Sequence, residues 1–297
     1  MRVTQSMLNS QFVKNVQINN KNLDIYQRML ETGKKLNKPE DDPVGVGFAM
    51  RYEEGLSRIQ QYQRNLSSLK SDLETYDTYI SKVNDLLQRV RQLAVQGASD
   101  TVPQDARQAM AKEVDQIYKE MVDLGNSQFN GKYMFNGQKT DQIPYSNLAN
   151  AETQNSDTNR TMITISDNTY LPGNITGQAV FGTAGASDNA FMLLKNLSNA
   201  LNTNNTTAIS QAIGFVDIRM SAVHAAWSEV GVLMNRVDLV DNRLRDQQLN
   251  VTKVLSDTMD TDIPKTITDL KMAETVQRAS LSVGSRILQP SLVDFLR

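Results

Sequence analysis

Between residues 59 and 94 the chain places an apolar or aromatic side chain at every step of three or four: Ile59, Tyr62, Leu66, Leu69, Leu73, Tyr76, Ile80, Val83, Leu87, Val90 and Ala94. This is a heptad seam with both core positions filled throughout and no Gly or Pro inside it. A stripe this narrow is not satisfied by one helix in water, so the sequence demands partner helices. A repeat of about 3.5 residues on a helix of about 3.6 per turn predicts a left-handed supercoil.

Two later segments qualify as partners. Met110, Val114, Ile117, Met121 and Leu124 repeat the spacing, and the short connection from residue 97 makes their helix an antiparallel neighbour. Val216, Val223, Val230, Val237, Leu244 and Val251 recur every seven residues, with Ala226, Leu233, Val240 and Val254 interleaved. That seam matches the first in length. The predicted bundle core is therefore Ile59, Leu66, Leu73, Ile80, Leu87, Val114, Ile117, Val216, Val223, Val230, Val237 and Leu244.

The two ends carry weaker seams. Phe12, Val16, Asn19, Leu23, Tyr26 and Leu30 define a first helix, in which Asn19 is either a buried register-selecting amide or a residue at the solvated edge. Its outer side is amide-rich and lightly charged, which suits packing against further copies. After a break at residues 33–40, Asp42 is placed to cap the next helix with Pro43 in its first turn. Gly45, Gly47 and Gly55 weaken that helix's opening. Thr101-Val102-Pro103-Gln104 resembles a capping box for the third helix. A last helix follows residues 257–264, with Ile267, Leu270, Ala273, Val276, Ser280 or Leu281, Gly284, Leu288, Leu292 and Phe295 on or near one face, and Pro290 perturbing its end.

Between the bundle helices the texture changes. Asn136-Gly137 is a turn dipeptide, residues 161–165 read as a strand, and residues 147–159 read either as disorder or as an ordered loop. A short helix opening at Ser187-Asp188 turns Phe191, Leu194, Leu197 and Leu201 to one side. The expected fold class is mainly α with a small β-rich insertion: an elongated coiled-coil bundle with its N- and C-terminal helices paired at one end. The domains expected are 1–38 with 258–297 (terminal helices, assembly), 39–130 with 204–257 (bundle) and 131–203 (variable insertion with a short helix).

Composition narrows the chemistry. With Lys+Arg 31 against Asp+Glu 33 there is no broad basic face for counterion release, so no nucleic-acid partner is expected. Cys 0 and a single histidine, His224, remove thiolate sites, Cys nucleophiles and His-rich metal sites, so no catalytic, cofactor-binding or metal residues are assigned and no cofactor is expected. His224, a turn from Trp227, reads as structural. Asp41-Asp42 reads as a helix cap and Gly182-Thr183-Ala184-Gly185 lacks the Lys of a phosphate loop. No run of about 18 apolar residues suggests a membrane span, and residues 1–8 lack the apolar core of a secretory signal, so by these rules alone a cytosolic, non-membrane protein is expected.

Asn22-Leu23-Asp24-Ile25-Tyr26-Gln27-Arg28-Met29-Leu30-Glu31-Thr32-Gly33-Lys34-Lys35-Leu36-Asn37-Lys38-Pro39-Glu40-Asp41-Asp42-Pro43 resembles the N-terminal region of bacterial flagellins. The ending Asp294-Phe295-Leu296-Arg297 is similar to their hydrophobic-Leu-Arg close. Within that superfamily, Asn130-Gly131-Lys132-Tyr133-Met134-Phe135-Asn136-Gly137 and the opening Met1-Arg2-Val3-Thr4 resemble the branch that joins hook to filament, where filament subunits carry a more Lys-Leu-rich segment. The resemblance implies a flagellin-like fold and a secreted structural subunit of the bacterial flagellum, a ring-forming homo-oligomer at the hook-filament junction contacting a neighbouring hook-associated protein and flagellin. It also implies passage through the flagellar type III export apparatus without a cleaved signal, after a transient cytoplasmic stage in which a cytosolic export chaperone holds the C-terminal helix. The residues on which it places assembly are Phe12, Val16, Asn19, Leu23, Tyr26, Leu30, Ile267, Leu270, Val276, Leu281, Leu288, Leu292 and Phe295. A filament subunit, and a coiled-coil scaffold or signalling protein, are the alternatives.

Overall fold

The computed structural model describes residues 5–287. Seven α-helices dominate the described residues: α1 (Gln5–Thr32), α2 (Pro43–Ala98), α3 (Gln104–Gly125), α4 (Gly177–Phe181), α5 (Ala190–Asn202), α6 (Thr206–Met259) and α7 (Ile263–Ile287). Strands are confined to two antiparallel hairpins, β1 (Gln128–Phe129) with β2 (Lys132–Tyr133), and β3 (Met162–Ser166) with β4 (Thr169–Pro172). The fold is thus mainly α with a small strand-bearing insertion. It divides into two compact units, one of residues 1–58 with 247–297, the other of residues 59–246.

In the second unit the heptad seams form the core. Ile59, Leu66, Leu73, Ile80 and Leu87 of α2, Val114 and Ile117 of α3, and Val216, Val223, Val230, Val237 and Leu244 of α6 are all buried. The antiparallel register of α2 and α6 is read from Lys70 Nζ, 2.8 Å from Asp238, and Arg91 Nε, 2.7 Å from Asp217. Each ion pair is half exposed and contributes little by itself, so the register is fixed by the apolar seam between them. The Trp227 indole donates to Asp77 Oδ1 at 2.6 Å across the same pair of helices.

The capping box before α3 does not form. The helix begins at Gln104 with Pro103 as its N-cap and no side-chain cap, leaving Thr101 outside it, hydrogen-bonded to Ser99. Arg107 closes this corner instead. Buried to 3% exposure, it donates from Nε to Gly97 O (2.9 Å), from a terminal nitrogen to Ser99 O (2.8 Å), and to Asn204 Oδ1. It thereby satisfies carbonyls at and just beyond the end of α2.

The insertion docks through rings. Phe135 meets Tyr76 of α2 edge-on at 5.5 Å and Phe181 at 5.2 Å; Phe181 stacks on Phe191 at 5.3 Å, and Tyr145 meets Phe191 at 4.7 Å. The Tyr76 hydroxyl donates to Met134 O, and burial pushes it well above the usual phenol range. Asn130 and Gly131, at φ 51° and 75°, make the tight β1–β2 turn. Residues 147–159 form an ordered loop: a 3-10 turn at Leu148–Thr153 buries Ala151 and Glu152, and Glu152 accepts from Lys195. The short helix α5 starts two residues after Asp188, capped by Asn189 Oδ1, which accepts from Phe191 N at 3.0 Å and Met192 N at 3.1 Å.

In the first unit α1 and α7 run antiparallel. Lys35 N donates to Met259 O at 2.7 Å and Thr261 N to Gly33 O at 3.0 Å, so the chain leaving α1 pairs with the chain entering α7. Gly33 takes φ 70°, the left-handed conformation of a helix C-terminus. Asp42 Oδ1 accepts from Val44 N at 3.1 Å and Pro43 opens α2. The Asp41 carboxylate accepts from Asn37 N and Lys38 N, which hold its pKa below the usual range.

Candidate functional site

The α1–α7 pair differs from the bundle in how little it buries. On α1, Phe12, Val16, Asn19, Leu23, Tyr26 and Leu30 face α7 and are half-buried. On α7 the facing stripe is Thr266, Leu270, Ala273, Gln277, Ser280 and Gly284, stepping by four and three. Four of these six residues are small or short, and a β-carbon at Gly284 would overlap the Phe12 ring. Close approach of the backbones selects the stripe. The more apolar residues singled out from the sequence, Ile267, Val276 and Leu281, are therefore left outside it at 46%, 47% and 52% exposure. Thr266 and Gln277 were not legible as seam positions because neither is apolar. Leu288, Leu292 and Phe295, and Pro290 with them, lie outside the described residues.

Asn19 is a seam residue, not an edge one. Its Nδ2 donates to Ser280 Oγ at 3.1 Å, and Gln277 Nε2 donates to Asn20 Oδ1 at 2.9 Å. Two buried acceptors, Asn9 Oδ1 and Gln277 Oε1, have no hydrogen-bond partner among the described residues. An unsatisfied buried acceptor costs about 1–3 kcal/mol; the bundle unit carries two such atoms as well, Asn84 Oδ1 and Ser156 Oγ, so what sets the terminal pair apart is how little apolar surface it buries.

Outside the seam both helices present apolar side chains to solvent: Met7, Leu8, Val13 and Ile18 on α1; Ile263, Ile267, Met272, Val276, Leu281 and Val283 on α7. A groove of about 460 Å³ runs between them, walled by Leu8, Phe12, Val276 and Val283. A second, of about 180 Å³, is lined by Tyr26, Met272 and Val276 with Asn19, Asn22 and Asp269. This surface offers packing, not acid-base chemistry. Among the described residues no cluster of His, Asp or Glu could hold a metal ion, and no helix is long and apolar enough to cross a membrane. His224 stacks on Trp227, with ring centroids 6.4 Å apart.

Residues 3–140 match the model of the bacterial flagellin N-terminal helical region, and residues 213–296 that of the bacterial flagellin C-terminal helical region. Flagellar hook-associated protein 3 of Escherichia coli (strain K12) is 24% identical over 302 residues, covering 94% of this chain and 95% of that protein. The flagellar filament 30.7 kDa core protein of Treponema maltophilum is 23% identical over 274 residues, covering 90% and 88%. The solved structure of flagellar hook associated protein-3 from Legionella pneumophila superposes with a TM-score of 0.62 at 15% identity, covering 70% of this chain and 98% of that one. The two flagellin regions together take in most of the chain, including both helices of the exposed apolar pair: the chain belongs to the bacterial flagellin family.

Proposed function

We propose that this protein is a structural subunit of the bacterial flagellum that polymerises through its terminal helices and sits at the junction between hook and filament. The observation that carries this reading is the α1–α7 pair, whose apolar residues stay in solvent on both helices. Monomers rarely keep such a surface uncovered. Neighbouring subunits would supply the missing apolar contacts and offset the entropy lost on ordering. The junction position is favoured because the resemblance to the hook-associated relative runs nearly end to end in both chains. The role is structural, without catalysis. A homo-oligomeric ring, flanked by another hook-associated protein and by flagellin, follows from that position. So does export through the type III apparatus after a cytoplasmic stage with a chaperone on the C-terminal helix.

A second reading, the filament subunit, is favoured by the nearly full-length resemblance to the Treponema core protein. Immunogold labelling of isolated flagella separates the two. A single band where hook meets filament is the expected outcome; label along the whole filament would replace the junction reading with the filament one, and absence from flagella would overturn both.

A further inference from the structure

In the second unit a cleft of about 300 Å³ lies between α2 and the insertion. Its polar lining includes Ser68, Asp72, Asn130, Lys132, Thr140, Thr161 and Asn174. Asn174 is engaged, accepting from Thr161 N and donating to Asn159 O. Ser68, Asn130, Lys132 and Thr161 are exposed to water, whereas Asp72 and Thr140 are half-buried and their side chains make no hydrogen bond or ion pair within the described residues. Asp72 is the most telling. It is half-buried, burial raises its carboxyl above the usual range with Lys132 only partly offsetting this, and no donor reaches it. A carboxylate drawn out of water without a partner is a cost to the fold, and such groups gather where a ligand supplies the missing bonds.

The remaining walls say which ligand. Phe129 and Tyr133 line it with half-buried rings. One carboxylate and one ammonium in the same cleft cancel in charge, which disfavours a simple cation or anion. Hydroxyl and amide groups that both donate and accept, beside aromatic faces, fit a neutral ligand carrying many hydroxyls and an apolar C–H face. We propose that this cleft is a saccharide-binding site in which Asp72 accepts hydrogen bonds from sugar hydroxyls and Phe129 and Tyr133 carry the ring face. It is independent of the α1–α7 surface and of the assembly role.

Saturation-transfer NMR on the full chain tests it, with lactose, maltotriose and N,N′,N″-triacetylchitotriose as probes and arginine amide as the cationic control, each up to about 20 mM, enough to detect a millimolar dissociation constant. At least one saccharide is expected to bind saturably, with Asp72→Asn weakening it about tenfold and Tyr133→Ala more, while the circular dichroism spectrum and Tm of Asp72→Asn stay at or above wild type. No saturable saccharide signal, binding that is equal in Asp72→Asn, or binding of arginine amide alone would each overturn the proposal.

Discussion

Phe12 of α1 packs its ring directly over Gly284 of α7, in the space a β-carbon at position 284 would take. The contact makes the terminal pair depend on one hydrogen-sized side chain. Gly284→Val is expected to force the helices apart. Hydrogen exchange should show faster exchange across α1 and α7 with residues 59–246 unchanged; unchanged protection of α1 would mean that the ring can move aside.

Val276→Asp and Leu281→Asp place charge on the exposed apolar faces of α7. Since both positions are about half exposed in the single chain, each is expected to shift stability by no more than about 0.5 kcal/mol. Polymerisation, followed by light scattering or sedimentation, is expected to fall severely. An equal loss of thermal stability would put these residues in the monomer's core instead.

Removal of residues 259–297 takes away α7 and leaves the buried seam of residues 59–246 intact. A cooperative thermal transition by circular dichroism is expected to remain in a chain that no longer assembles. Collapse of the helical signal would show that the terminal helices are needed for folding.

Arg107→Ala leaves the Gly97 and Ser99 carbonyls without their donor at a buried corner. Loss of about 3 kcal/mol is expected in urea unfolding, from hydrogen bonds to a charged group. Arg107→Lys should recover little, since a single ammonium does not reproduce the guanidinium fork.

Glu152 is expected to contribute to acid sensitivity. Burial works against its charged form, yet bonds from Lys195 and Tyr118 prevail and hold the carboxyl below its ordinary value of 4.5. A folded pKa below the unfolded one means stability that is present above about pH 4.5 and lost as pH falls through the folded value. Thermal melts at pH 7 and at pH 3.5 are expected to differ less in Glu152→Gln than in wild type, with the variant the weaker of the two at pH 7.

The helices of the bundle were legible because an apolar residue at every third and fourth position leaves α2, α3 and α6 only one face to bury. Asp42 and Pro43 marked the start of α2 by local chemistry alone. At the termini the same reasoning named Leu270, Ala273, Ser280 and Gly284 near that face of α7 but also the more apolar Ile267, Val276 and Leu281, which stay exposed, and it did not name Thr266 or Gln277, the first buried and the second bonded to Asn20 of α1. Arg107 and the Phe135–Phe181–Phe191 ring cluster were not legible either, because each depends on residues distant in sequence.

The sequence by itself determined the long helices, though not α4 inside the insertion, that the chain's two ends carry the weaker seams, and that no thiol or His-rich chemistry is available. These follow from periodicity and composition, which are local. Only the tertiary structure decided which stripe of α7 meets α1, and so which apolar residues remain for other subunits. It decided as well that Asp72 stands unpaired in a cleft. Close approach of two backbones favours small side chains over apolar ones, and only the packed pair shows where that preference overrules hydrophobicity.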